Sequence, residues 1–240
     1  MRRTVFAAVL TSALALGVSA CGEPQADKAF GEKVRAYLLE HPEILIEMSQ
    51  KLEQKQQAAA NEQVKGALAQ HRQALERDPR DFVANPNGKI TVVEFFDYRC
   101  SFCKLATPAV VQLIKENPDV RFVFKEFVIF GAASETAARA ALGAKAQGRY
   151  LDAHGRFMAE KSLDAAGVDR LLKEAGVDVE KAKLDGQNAA VTQQLKDVHD
   201  LAVALGVDGT PAFFIGDTVV RGADIEGLKK AIAEAKKTAG

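Results

Sequence analysis

Two cysteines separated by two residues, Cys100-Ser101-Phe102-Cys103, are the part of this chain best suited to chemistry. A cysteine in the first turn of a helix meets unpaired backbone N–H groups and the positive end of the helix dipole, which favour thiolate over thiol. Cys100 is so placed, and its pKa is expected to fall below the free value of about 8.5. Cys103 follows one turn later on the same helix face, close enough to form a disulfide with Cys100 or to attack a mixed disulfide held on it. The same spacing serves zinc sites, but these need four ligands. The chain has no second C-x-x-C, and His41, His71, His154 and His199 are scattered singly. No metal and no cofactor are therefore expected. An inert disulfide is the remaining plain reading of such a pair.

The flanking elements favour a redox pair. Ile90 to Phe96 is β-branched and aromatic, a strand apolar on both faces and so central to a sheet. The cysteines open a helix that runs to about Asn117, and Val120 to Phe127 supplies a second strand, completing a β-α-β unit. Ser134 to Leu205 reads as an insertion of short helices interrupted at Gly143, Gly148, Gly167, Gly176 and Gly186. Then come Thr210-Pro211, strands at Ala212 to Ile215 and Thr218 to Arg221, and a helix from Asp224 to Lys237. The expected fold is α/β, a thioredoxin fold with an all-helical insertion.

Thr210-Pro211 and Glu94 are further candidates. A cis peptide at Pro211 would turn the Thr210 backbone toward an extended substrate, whereas a trans proline would be an ordinary loop residue. Glu94 lies among Val92, Val93, Phe95 and Phe96, so its carboxyl is expected to be buried, raised in pKa and able to relay the Cys103 proton. Lys125 could be its charge partner, or a surface lysine with a buried stem.

Ahead of the catalytic region, residues 21–78 read as a helical segment and 79–88, which contain Pro79, Pro86 and Gly88, as a linker to a domain over 89–240. Val34, Leu38, Leu45, Met48, Leu52, Val64, Leu68 and Leu75 form one helical stripe that thins between Glu53 and Gln63. It has too little apolar surface for a core of its own. Self-association through this seam is expected, with docking on the same chain as the alternative.

Residues 1–20 read as a signal peptide: Arg2-Arg3, the apolar run Val5 to Leu16, then Val18-Ser19-Ala20. Cys21 follows as in a lipoprotein signal, so lipidation is one expectation and ordinary cleavage the other. Either places the mature chain in the periplasm, where lipid on Cys21 would tether it to a membrane. With Lys plus Arg and Asp plus Glu at 32 each, no global field favours nucleic acid or an anionic membrane.

Glu94-Phe95-Phe96-Asp97-Tyr98-Arg99-Cys100-Ser101-Phe102-Cys103-Lys104, taken with Gly206-Val207-Asp208-Gly209-Thr210-Pro211-Ala212-Phe213-Phe214-Ile215-Gly216, resembles the DsbA-like branch of the thioredoxin superfamily. Tyr37-Leu38-Leu39-Glu40-His41-Pro42-Glu43-Ile44-Leu45 resembles the N-terminal segment of its ScsC-type subgroup, whose members include oligomeric disulfide isomerases and copper-tolerance factors. The resemblance implies Cys100 as nucleophile, Cys103 as resolving cysteine, Pro211 as cis-proline and Glu94 as buried acid. Thr210, Ser101 and Phe102 are expected to meet substrate. Where the oxidising archetype has Pro-His between the cysteines, this chain has Ser101-Phe102. That departure favours isomerase or reductase activity on misoxidised cysteine-containing proteins, sustained by a membrane reductase resembling DsbD or ScsB. A dithiol oxidase served by a DsbB-like partner, a copper-binding protein and a structural lipoprotein are the competing readings.

Overall fold

The structure, a computed structural model, describes residues 28–239. The expected signal peptide and Cys21 lie outside the described residues. The chain divides into a unit ending at Gln57 and a larger one starting at Ala58.

In the first unit, α1 (Lys28–Glu40) breaks at His41-Pro42 and α2 (Glu43–Glu76) begins. Proline in the opening turn of a helix costs no hydrogen bond, because that N–H has no intrahelical acceptor. Among the described residues of this unit no apolar side chain is buried. Phe30, Val34, Tyr37, Leu39, Leu45, Ile46, Met48 and Leu52 are all exposed.

The second unit is built on a five-stranded sheet of order β1-β3-β2-β4-β5: β1 (Phe82–Ala84), β2 (Ile90–Phe96), β3 (Val120–Glu126), β4 (Ala212–Ile215) and β5 (Thr218–Arg221). β2 and β3 run parallel, and β1 and β4 lie antiparallel on their outer sides. All residues of β2 and β3 are buried, as those of central strands covered on both faces should be. The crossover helix α3 (Ser101–Glu116) joins them. The insertion comprises α4 (Ala132–Lys145), α5 (Tyr150–Ala159), α6 (Ala165–Glu174), α7 (Val179–Gly186) and α8 (Ala189–Ala204), and α9 (Ile225–Ala239) closes the chain.

Alternation along the strands splits the core in two. Val92, Phe96, Phe122 and Phe124 pack with α3 and the insertion on one face; Val93, Phe95, Val123 and Phe214 pack with α8 and the end of α2 on the other.

Three local expectations change. The stretch read as a linker contains β1, which pairs with β3 through Phe82–Phe124. A three-residue strand beside two prolines carries too little periodicity to stand out. Leu68 and Leu75, read as part of the self-association seam, are fully buried in the core of the second unit. Gly143 does not interrupt a helix. It lies within α4, where a Cβ would come 2.0 Å from the Ala182 carbonyl oxygen, and Gly186 of α7 meets Arg139 O in the same way at 2.4 Å. The two glycines let α4 and α7 touch backbone to backbone.

Candidate active site

The C-terminal end of β2 feeds directly into α3, with Cys100 as the N-cap. Its backbone is extended (φ −71°, ψ 117°), and its sulfur accepts a hydrogen bond from Cys103 N–H at 3.3 Å. Parallel β3 ends at the same edge, and antiparallel β4 begins there, since Phe96 is opposite Glu126 and Phe95 opposite Ala212. The strand order therefore places Thr210-Pro211 beside the cysteine turn. The peptide bond between them is cis, and the Cys100 thiol donates to Thr210 O at 3.2 Å.

Both cysteines are unbridged and buried, but only Cys100, at 4 % exposure, reaches the surface; Cys103 is at 0 %. Their ionisation is driven apart. The hydrogen bond from the Cys103 thiol, helped by the Thr210 hydroxyl and the N–H groups of Cys103 and Phe102, lowers Cys100 to about 6 against the opposing effect of burial. Burial, and then its bond to Cys100, pushes Cys103 far up. The site thus contains one sulfur that ionises readily and one that holds its proton. While Cys100 keeps its proton the buried Thr210 hydroxyl has no hydrogen-bond partner among the described residues, so it is available to the thiolate. Ser101 and Phe102 are exposed on the outer turn.

Glu94 is buried beneath this turn, and desolvation, followed by the charge of Cys100, raises its carboxyl to about 8. Lys125 is not its partner. Register sets Lys125 opposite Phe95 and Glu94 opposite Phe124, so the two side chains leave opposite faces of the sheet. Lys125 forms a buried ion pair with Asp81 and donates to Ala74 O at 2.6 Å. Burial still raises Asp81 to about 6 despite that cation.

Sequence reasoning assigned no role to five neighbouring groups, Asp97, Tyr98, Glu126, Tyr150 and His154. The Asp97 carboxylate, buried, accepts from Arg99 N (2.7 Å), Ser134 Oγ (2.6 Å), Ile129 N (2.9 Å) and Phe130 N (3.1 Å), and so ties the cysteine turn to the loop after β3. Glu126 Oε1 accepts from Tyr150 (2.6 Å) and Tyr98 (3.1 Å), and the Tyr98 hydroxyl also bonds His154 Nδ1 at 3.2 Å. Burial lifts Glu126 to about 8 and lowers His154 to about 3, so both are neutral near pH 7. The signal for Glu126 was weaker than that for Glu94: it follows Lys125 in β3, so no run of apolar neighbours marks it as buried.

Comparison with known proteins agrees with this geometry. Residues 91–233 match the DSBA-like thioredoxin domain, and residues 28–59 match the copper resistance protein ScsC N-terminal domain. The solved structure of Salmonella enterica Typhimurium BcfH is similar at 33% identity and TM-score 0.74, over 87% of this chain and 95% of that one. Proteus mirabilis ScsC, in a transitional conformation, is similar at 30% identity and TM-score 0.67, over 88% and 98%. A curated relative, Na(+)/H(+) antiporter NhaA 3 of Salinispora tropica, is 31% identical over 66% of this chain. The chain spans about a quarter of the length of that relative, and among the described residues no helix is long and apolar enough to cross a membrane. On the matched domain, the shared fold and the cysteine pair at the end of β2, the chain belongs to the DsbA-like thioredoxin family of thiol–disulfide oxidoreductases, with an N-terminal segment of the ScsC type.

Proposed function

We propose that this protein is a periplasmic disulfide isomerase or reductase that acts on misoxidised envelope proteins. The observation that carries the reading is the separation of the two sulfurs, with Cys100 lowered to about 6 at the helix tip and Cys103 buried and protonated. The Cys100 thiolate attacks one sulfur of a substrate disulfide. A mixed disulfide forms, and the other substrate sulfur leaves as thiolate. On ionising, Cys100 releases the Thr210 carbonyl, which can then accept an N–H from an extended substrate strand. In isomerisation a second substrate thiolate displaces Cys100. In reduction Cys103 gives its proton to a base, attacks Cys100 and expels the substrate thiolate, leaving a Cys100–Cys103 disulfide. Glu94, in its ionised form, is the base suited to that proton. The enzyme disulfide is returned to dithiol by electrons from a membrane reductase resembling DsbD or ScsB.

Residues 1–20 act as an export signal, and lipid on Cys21 would tether the mature chain. The uncovered apolar side chains of the first unit are the seam through which copies associate, so that several cysteine pairs can hold one client. Removing residues 26–57 tests this, because Leu68 and Leu75 stay in place to complete the second core. Isomerisation of a scrambled substrate should collapse while reduction of a single disulfide survives. Full isomerase activity in the shortened chain would refute the oligomeric mechanism.

A dithiol oxidase with a DsbB-like partner is favoured by one observation, the low-titrating Cys100, which makes a good leaving group and so an oxidising disulfide. Equilibration with glutathione separates the readings: a reduction potential near the oxidising end of the family supports the oxidase, and an intermediate one the isomerase. A copper role rests on the match of residues 28–59 and on two soft sulfurs. Turnover of scrambled substrate, lost in Cys100→Ala, would count against it as the main task.

A further inference from the structure

Lys104 lies one helical turn beyond Cys100, its backbone N–H donating to Cys100 O at 3.1 Å. Its ammonium makes no ion pair among the described residues. It donates instead to two backbone carbonyls, Phe157 O at 2.9 Å and Glu160 O at 2.8 Å. Phe157 belongs to the last turn of α5, and Glu160 is the C-cap of that helix. The Glu160 carboxylate itself is engaged by Arg170 at 2.7 Å.

The last carbonyls of a helix lack intrahelical partners and form its negative pole. Here the negative pole of α5 is brought to the positive pole of α3, where the Cys100 sulfur must bear charge. A carboxyl-end dipole facing a thiolate is unfavourable unless a cation stands between them. Lys104 brings a cation to this junction: its backbone lies one turn from Cys100, its ammonium sits on the α5 carbonyls, and the charges of Cys103 and Cys100 act on it. Half-buried, it loses hydration, and the two carbonyls replace part of what it loses.

We propose that Lys104 is a positioning residue for the cysteine chemistry: its charge screens the Cys100 sulfur from the carboxyl end of α5, and its two bonds pin the helical insertion against the cysteine helix. This rests on Cys100 being the nucleophile. The charges that act on Lys104 are those of Glu160, Cys103, Asp97 and Cys100, all favouring its protonated form against burial; His154, also close by, is neutral.

The test uses the full chain in its reduced form and follows alkylation of Cys100 against pH. Lys104→Gln keeps a donor and removes the charge, whereas Lys104→Arg keeps the charge. The expected result is an upward shift of the Cys100 profile in K104Q, with alkylation at pH 6 slowed about threefold, and a profile close to wild type in K104R. A purely structural pin would lower the unfolding midpoint of K104Q and leave the profile where it was, which would overturn the proposal, as would a K104R profile equal to that of K104Q.

Should K104Q fail to fold, wild type still decides. Linkage is reciprocal, so the Lys104 ammonium must titrate at higher pH in the dithiol than in the disulfide protein, as followed by NMR of its Nζ. Equal titration in the two forms overturns the proposal. A wild-type Cys100 that ionises like a free thiol would instead bring down the assignment of the nucleophile, and the role of Lys104 with it.

Discussion

The two faces of the central sheet bury charge-bearing groups in opposite ways. On the face covered by α3 and the insertion, Glu94 and Glu126 are carboxyls with no cation bonded to them among the described residues, and burial raises both to about 8. On the other face Lys125 and Asp81 are buried as a pair, and Gln194 and the Ala74 carbonyl add hydrogen bonds to it. Glu126 and Lys125 are neighbours in one strand. A carboxyl left without a cation keeps a proton within reach of neutral pH, which suits it to proton transfer; two buried groups bonded to each other serve as an anchor.

The largest effect expected from breaking this contrast is on the anchor. Lys125→Met leaves Asp81 buried without its cation and should cost about 3–5 kcal/mol of stability, read as a lowered denaturation midpoint, while the pH profile of Cys100 alkylation stays as in wild type. Glu94→Gln should do the reverse. Folding is retained, and the step in which Cys103 attacks the mixed disulfide slows on the order of a hundredfold, measured by single-turnover release of substrate thiol. Equal rates in E94Q and wild type would remove Glu94 from the mechanism.

The faces also differ in how stability follows pH. Glu94 and Glu126 bind protons more tightly folded than unfolded, with folded values of about 8 against an ordinary 4.5. Their contribution is complete below about pH 4.5 and is lost as pH rises to about 8. Cys100 in the dithiol form has the opposite sign. Lowered from 9.0 to about 6, it stabilises fully above about pH 9 and loses that contribution as pH falls through 6. The dithiol protein should therefore gain stability relative to the disulfide form between pH 6 and 9, as denaturant titrations at several pH values will test. Glu126→Gln is expected to have the smallest effect. The amide oxygen can still accept from Tyr98 and Tyr150, so stability near pH 6 should change by no more than about 1 kcal/mol, with a shallower decline toward pH 8.

How much of this was legible in the sequence follows from the range of each interaction. The cysteine turn, the strand before it and the Thr210-Pro211 strand are local patterns, and the observed fold has them where they were expected. The face on which Lys125 lies was not legible, because alternation gives parity within a strand and only register relates two strands; Glu94 opposite Phe124 sends Lys125 the other way. The end of α2 was misassigned for a related reason. Leu68 and Leu75 repeat the seven-residue spacing of Leu45 and Leu52, and periodicity does not tell which partner covers each part of the helix. The carbonyl contacts of Lys104 join residues more than 50 positions apart and leave no local trace.

The last turns of α2 are held in the second unit by more than apolar packing. Arg121 donates to Glu76 O at 2.6 Å and Lys125 to Ala74 O at 2.6 Å, so two cations from β3 cap the carboxyl end of that helix. Anyone grafting this redox head onto a different carrier should splice within the helix, upstream of Val64. A seam at the prolines would discard a wall of the head's own interior.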